Sequence, residues 1–128
     1  MSTSREDVSG SLKPPGEPVV PATLVTLARI PDGGFHECEA TVDGDAESLI
    51  LHRDGDEVRA WLNVCPHAGR RLDWAPGQFL KSADGHLVCA VHGASFELRG
   101  GECVGGPCRG ALLRSVQVQV RDGAVVLV

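Results

Sequence analysis

Short apolar runs separated by glycine-rich turns are the feature that most constrains the fold of this chain. Sixteen of its 128 residues are glycine, and Asp-Gly or Gly-Gly pairs recur at Gly55, Gly85, Gly101 and Gly123. An Asp-Gly pair between two apolar runs predicts a β-hairpin, because glycine adopts positive φ with little strain. No long window has helical spacing. We therefore predict an all-β fold, a small sandwich or barrel of short strands.

The apolar runs themselves give the first strand positions. We expect strands at 24–29, 35–42, 48–52 and 57–64. The second of these alternates between apolar and polar residues, which is the period of a strand with one buried face.

Composition divides the chain into a tail and one domain. Residues 1–21 are rich in Ser, Gly, Pro and charged residues, and such a segment buries too little apolar surface to fold. We expect a disordered tail at 1–21 and one domain at 22–128, which is an ordinary domain length.

Charge and hydropathy exclude several classes of partner. The net charge is −5 and no basic run is present, so nucleic acid is an improbable ligand. No apolar run is long enough for a membrane span, and the first residues lack the apolar core of a secretory signal. We expect a cytoplasmic protein whose five cysteines are metal ligands or buried thiols rather than disulfides.

The candidate metal ligands of the sequence occur in two pairs that each combine a cysteine with a histidine, Cys65-Pro-His67 and Cys89-Ala-Val-His92. Each pair follows an apolar run and is followed by a glycine. Chance spacing combined with simple burial of the cysteines is the alternative explanation. If the pairs do bind metal, a closed zinc site and a [2Fe–2S] cluster with two histidine ligands are both chemically possible. Mixed pairs favour the cluster, because each loop can then give one ligand to each iron.

With this motif the sequence resembles the Rieske iron–sulfur proteins, and in particular the small Rieske-type ferredoxins of ring-hydroxylating oxygenase systems. The resemblance covers roughly residues 22–128. It implies stacked antiparallel sheets, sandwich- or barrel-like, with a smaller cluster-binding subdomain that carries two ligand loops. A third loop that contains proline covers the cluster in this family, and residues 105–107 match it. The 21 residues between His67 and Cys89 exceed the usual gap, which we assign to a longer loop at 74–84.

The resemblance also assigns ligands and a potential range. Cys65 and Cys89 would hold the inner iron and the two histidines, His67 and His92, the outer one. In high-potential relatives a Ser lies two residues, and a Tyr four residues, after the last histidine ligand. This chain has Ala94 at the first of these positions and another apolar residue at the second. We therefore expect a potential near the low end of the Rieske range, about −150 mV.

The function implied by the resemblance is one-electron transfer from a flavin-dependent reductase to a terminal oxygenase, without a catalytic centre in this chain. Two alternatives belong to other classes. One is a small electron-transfer subunit of a nitrite reductase-like complex, and the other is a zinc-stabilised interaction module. Iron and acid-labile sulfide content separates the zinc module from the other two.

The remaining cysteines and histidines have less definite roles. We expect Cys38 to be a core thiol. Cys103 and Cys108 could form a local disulfide, a redox-sensitive pair or simple packing, and two reduced thiols are the preferred interpretation. The unpaired histidines are interpreted as structural, and they are His36, His52 and His86. Arg70 and Arg71 could steer a partner or simply be solvated.

Overall fold

The structure, a computed structural model, describes residues 23–66, 69–90 and 93–128. The predicted tail at 1–21 and the two predicted histidine ligands, His67 and His92, lie outside the described residues. Within the described ranges, eleven short strands form three antiparallel sheets, with one 3₁₀ turn and no α-helix. The all-β prediction is confirmed. No helix in this part of the chain is long and apolar enough to cross a membrane.

The strands in chain order are β1 (Thr23–Thr26), β2 (Phe35–Val42), β3 (Asp45–Asp54), β4 (Glu57–Leu62), β5 (Leu80–Lys81), β6 (Leu87–Val88), β7 (Ser95–Phe96), β8 (Cys103–Gly105), β9 (Ser115–Val116), β10 (Val118–Arg121) and β11 (Ala124–Leu127). They are arranged as a first sheet in the order β1-β11-β10, a middle sheet β2-β3-β4-β9 and a third sheet β5-β6-β7-β8.

The first sheet corrects one strand prediction. The predicted strand at 24–29 is wrong in its second half, because β1 ends at Thr26 and the next three residues form the 3₁₀ turn Leu27–Arg29. Thr26 pairs with Ala124, the first residue of β11. β11 does not extend beyond this pair, so β1 has no further strand to pair with. Leu27 N–H instead donates to Gly123 O at 2.8 Å.

The middle sheet is built from two hairpins. β2 has the predicted bounds, and it pairs with β3 along its whole length. The predicted strand at 48–52 begins earlier, at Asp45, because Asp43 and Gly44 make a tight turn with φ of 52° and 88°. Gly55, with φ of 65°, makes the predicted turn between β3 and β4.

Strand alternation lets the middle sheet serve two separate cores. On β3, Ile50 packs into one core while Leu49 and Leu51 pack into the other. On β4, Trp61 joins Ile50, and Ala60 points to the opposite face. Successive side chains of a strand point to opposite faces of its sheet. One core therefore lies toward the first sheet, and the other holds the loops described below.

The third sheet is small and carries the loops that matter for function. The predicted long loop at 74–84 contains a strand, β5, whose Leu80 pairs with Val88 of β6. Gly85 makes the turn between them with φ of 84°. The extra residues of the long gap are therefore partly taken up by an added strand.

His52 is a buried polar group in the middle sheet. Its ring packs against Phe35 in a tilted arrangement, with ring centroids 5.0 Å apart. Neither ring nitrogen has a hydrogen-bond partner among the described residues. Burial first, and the charge of Lys81 second, lower the pKa of His52 below its ordinary value of 6.5. The neutral imidazole is thus the form that the folded protein holds.

We expect His52 to make stability depend on pH. Because its pKa is lower in the folded than in the unfolded chain, the unfolded chain binds the proton first as pH falls. The contribution of neutral His52 to the free energy of unfolding is complete above pH 6.5 and is lost progressively below that pH. Urea unfolding between neutral pH and pH 5 should show a smaller acid-side loss in His52→Phe than in wild type. Equal losses in the two proteins would contradict this role.

Candidate metal centre

The first predicted ligand loop follows β4 and is closed by its own backbone. Cys65 N–H donates to Arg70 O at 2.7 Å, and Gly69 N–H donates back to Cys65 O at 2.8 Å. Gly69 has φ of 67°, which a residue without Cβ adopts most easily. The Cys65 side chain is fully buried.

The second loop follows β6 and repeats this pattern. Cys89 N–H donates to Ala94 O at 2.7 Å, and Gly93 N–H donates to Cys89 O at 2.9 Å. Gly93 has φ of 71°, and Cys89 is 1% exposed. Each cysteine therefore occupies the same position in one of two equivalent loops. The sequence indicates this only through a glycine four residues after each cysteine.

The two cysteines also share one apolar environment. Cys65 and Cys89 belong to the same core cluster, together with the fully buried Leu72, Leu87 and Phe96. The structure thus places both described members of the predicted ligand set, Cys65 and Cys89, in one core. The two predicted histidine ligands lie in the undescribed stretches of the same two loops.

A buried asparagine fastens the first loop to the middle sheet. Asn63 is 1% exposed, and its Oδ1 accepts from Leu72 N–H at 2.8 Å. Its Nδ2 donates to Ser48 Oγ at 3.2 Å. Ala90 N–H, in the second loop, donates to Leu72 O at 3.4 Å. Asn63 therefore closes the first loop at its base, and Leu72 connects that closure to the second loop. The only sequence signal for this residue is an amide within an apolar run.

Arg71 is held by an ion pair beside the first loop. It donates to both oxygens of Asp73, at 3.0 and 2.7 Å, and lies 3.6 Å from Glu37. Burial raises the pKa of Asp73, but hydrogen bonds from Arg71 and Gly77 outweigh it and leave the pKa below its ordinary value. Arg71 is therefore part of a fixed network rather than simply solvated, and Arg70 remains exposed.

The third loop packs directly on the second. Gly106 has φ of 90°, and a Cβ there would lie 2.9 Å from Ala94 Cα. Side-chain carbons essentially never approach that closely. The predicted covering loop at 105–107 thus lies against the backbone of the second ligand loop, and glycine is what allows the contact.

We expect Gly106→Ala to destabilise the protein by about 2 kcal/mol, from left-handed strain plus the clash with Ala94. Gly110→Ala is the matched control, because Gly110 has φ of 92° and nothing within 4 Å of a Cβ. The control should lose about 1 kcal/mol from backbone strain alone. Urea denaturation of both variants measures the difference, and equal losses would mean that the contact with Ala94 is unimportant.

The fold and the site together define an all-β metalloprotein with a mixed cysteine and histidine motif on twin loops. Residues 27–120 match the Rieske [2Fe-2S] domain, so the chain belongs to this family. Its cofactor is a Rieske [2Fe–2S] cluster, which has two cysteine and two histidine ligands. A search of curated proteins found no match.

Solved structures provide similar folds. A ferredoxin of carbazole 1,9a-dioxygenase from Nocardioides aromaticivorans IC177 is 27% identical, with a TM-score of 0.65 over 85% of this chain and 97% of that one. The terminal oxygenase of the same system is 25% identical, with a TM-score of 0.64 over 82% of this chain but 29% of the oxygenase. A ferredoxin from Sphingomonas yanoikuyae B1 shares the fold at 21% identity, with a TM-score of 0.59 over 84% and 97% of the two chains.

The described residues fit the cluster. Two fully buried thiols at equivalent positions of twin loops match the two thiolate ligands of one iron. The apolar side chains around them match the low-dielectric shell that keeps water from an iron–sulfur centre.

Proposed function

We propose that this chain is a one-electron carrier of the ferredoxin type whose cluster is held by Cys65, His67, Cys89 and His92. The twin loops are the observation that carries this proposal. Each buries a cysteine in the same core, and in each the cysteine precedes a histidine by two or three residues. That arrangement suits a cluster with thiolates on one iron and imidazoles on the other.

The protein holds the cluster ligands in position and excludes water from the site. When bound, the cluster accepts and releases a single electron. Leu72, Leu87 and Phe96 keep the thiolate side of the site dry. The backbone hydrogen bonds of Cys65 and Cys89 fix where each ligand leaves its loop. A rigid ligand frame of this kind changes little when the charge of its cofactor changes.

The surroundings of the second loop support a low potential. Ala94 and Phe96 are both fully buried, and neither side chain can donate a hydrogen bond to sulfur. Such hydrogen bonds raise the potential by stabilising the reduced cluster. We infer a potential near the low end of the Rieske range, about −150 mV, measurable by voltammetry.

The likeness to a whole ferredoxin supports the carrier role. This chain is 27% identical to the Nocardioides ferredoxin and spans 97% of it. We infer that it receives electrons from a flavin-dependent reductase and delivers them to a terminal oxygenase.

Electron paramagnetic resonance of the dithionite-reduced protein tests the proposal, with iron and sulfide measured on the same sample. We expect a rhombic signal with a mean g value below that of all-cysteine clusters, and uptake of one electron per cluster. A silent sample that contains zinc would overturn both the cluster assignment and the carrier role.

A further inference from the structure

The third loop holds a pair of cysteines that are not among the proposed ligands. The Cys108 thiol donates a hydrogen bond to Cys103 Sγ, and the two sulfurs are 2.9 Å apart. A disulfide bond is about 2.05 Å long, so the sulfurs need to approach by less than about 1 Å to form one. Among the cysteines that the structure describes, this is a thiol pair already in contact.

The backbone around the pair is already closed. Cys103 N–H donates to Ala111 O at 2.8 Å, and Gly110 N–H donates to Cys103 O at 2.9 Å. Ala111 N–H donates to Cys108 O, also at 2.9 Å. These bonds hold residues 103–111 as a compact loop. Most of the entropy of bringing the two thiols together has therefore been lost on folding.

The two thiols differ in access. Cys103 is fully buried, whereas Cys108 is partly exposed. A reagent from solution can reach Cys108 first. Cys103 is then placed to attack from the inside, which is the arrangement of an entry thiol and a resolving thiol.

We propose that Cys103 and Cys108 form a reversible dithiol–disulfide site that is oxidised by low-molecular-weight disulfides such as oxidised glutathione. The Cys108 thiolate attacks one sulfur of the reagent, forms a mixed disulfide and releases one glutathione thiolate. Cys103 then attacks the Cys108 sulfur, forms the internal bond and releases the second. Two electrons pass from the pair to the reagent, and the two cysteine protons end on the two glutathione thiols. This inference does not rest on the proposed function.

Oxidation at this site has a structural consequence for the second ligand loop. Gly106, between the two cysteines, is the residue that lies against Ala94. A disulfide across 103–108 would therefore fix the covering loop in contact with the loop that carries Cys89. The mobility of the covering loop would then depend on the ratio of oxidised to reduced thiols in solution.

Peptide mapping after incubation in glutathione buffers tests the proposal. Trypsin cleaves after Arg99 and Arg109, so the peptide 100–109 contains Cys103 and Cys108 and no other cysteine. The full-length holoprotein is held anaerobically at graded ratios of oxidised to reduced glutathione, quenched with acid, alkylated in denaturant and digested. Burial and the hydrogen bond with Cys103 raise the pKa of Cys108 to about 12, so incubation continues until the peptide ratios stop changing.

In oxidising buffer we expect at least a roughly tenfold fall in the doubly alkylated peptide. An unalkylated form, lighter by two hydrogens, should replace it and should disappear again with a dithiol reductant. The peptide with Cys38, another partly buried thiol, is the internal control and should stay alkylated. In Cys103→Ser, Cys108 should accumulate as the glutathione adduct instead.

Two results would overturn the proposal. One is a wild-type peptide that stays doubly alkylated at every ratio, and the other is a wild-type peptide that carries glutathione without forming the internal bond. Both are read from the wild-type protein, so they do not depend on whether the serine variant folds.

Discussion

Replacing Cys89 by serine is expected to abolish the visible absorption of the protein and most of its bound iron. Serine removes the thiolate but keeps nearly the same size in a site that is 1% exposed, so the fold has little reason to change. Cys65→Ser should have the same effect, because Cys65 occupies the equivalent position in the twin loop. Visible spectra and iron analysis of the purified variants are the measurements.

Cys38→Ser is the matched control for this experiment. Cys38 lies on β2 and packs against the other core, and burial raises its pKa to about 11. Its loss should leave the spectrum and the iron content unchanged. A Cys89→Ser protein with the wild-type spectrum would contradict the ligand assignment, as would equal losses in all three variants.

The second large effect is expected at Asn63. Asn63→Ala leaves the Leu72 N–H without its acceptor in a buried site and removes the bond to Ser48. We expect a loss of about 3 kcal/mol in the free energy of unfolding, from the unsatisfied donor and the space left by the side chain. Urea denaturation followed by circular dichroism measures it, and the visible absorption should disappear at lower urea than in wild type.

Ser48→Ala separates the two halves of this network. It removes the hydroxyl that pairs with Asn63 and with Glu37 at 2.8 Å, but it leaves the bond that closes the loop. We expect about 1 kcal/mol for this variant. If Asn63→Ala were no more damaging than Ser48→Ala, the closure of the first loop would have to come from elsewhere.

The features that could be predicted from sequence are those specified by neighbouring residues. β2 has its predicted bounds because the alternation of 35–42 is local. The end of β1 is not local, since it depends on where β11 begins, at Ala124. The earlier start of β3 follows from the Asp43-Gly44 turn, whose residues both adopt positive φ.

The candidate site also combines features specified by neighbouring residues with features that depend on residues distant in sequence. Cys65 and Cys89 could be selected as candidate ligands from sequence because the spacing to the next histidine is short and characteristic. The role of Asn63 could not, because its partners Ser48 and Leu72 are distant in sequence. The spacing of Cys103 and Cys108 is compatible with several outcomes, and only the packed loop brings their sulfurs to 2.9 Å.

The middle sheet has a consequence for register. β3 gives Ile50 to one core and Leu49 and Leu51 to the other. A slip of one residue would exchange the linings of both cores together, which makes any alternative pairing of this strand doubly unfavourable. Packing in both cores therefore fixes the register of the sheet beneath the twin loops. The ligand loops of an electron carrier built on such a frame start from a single strand register.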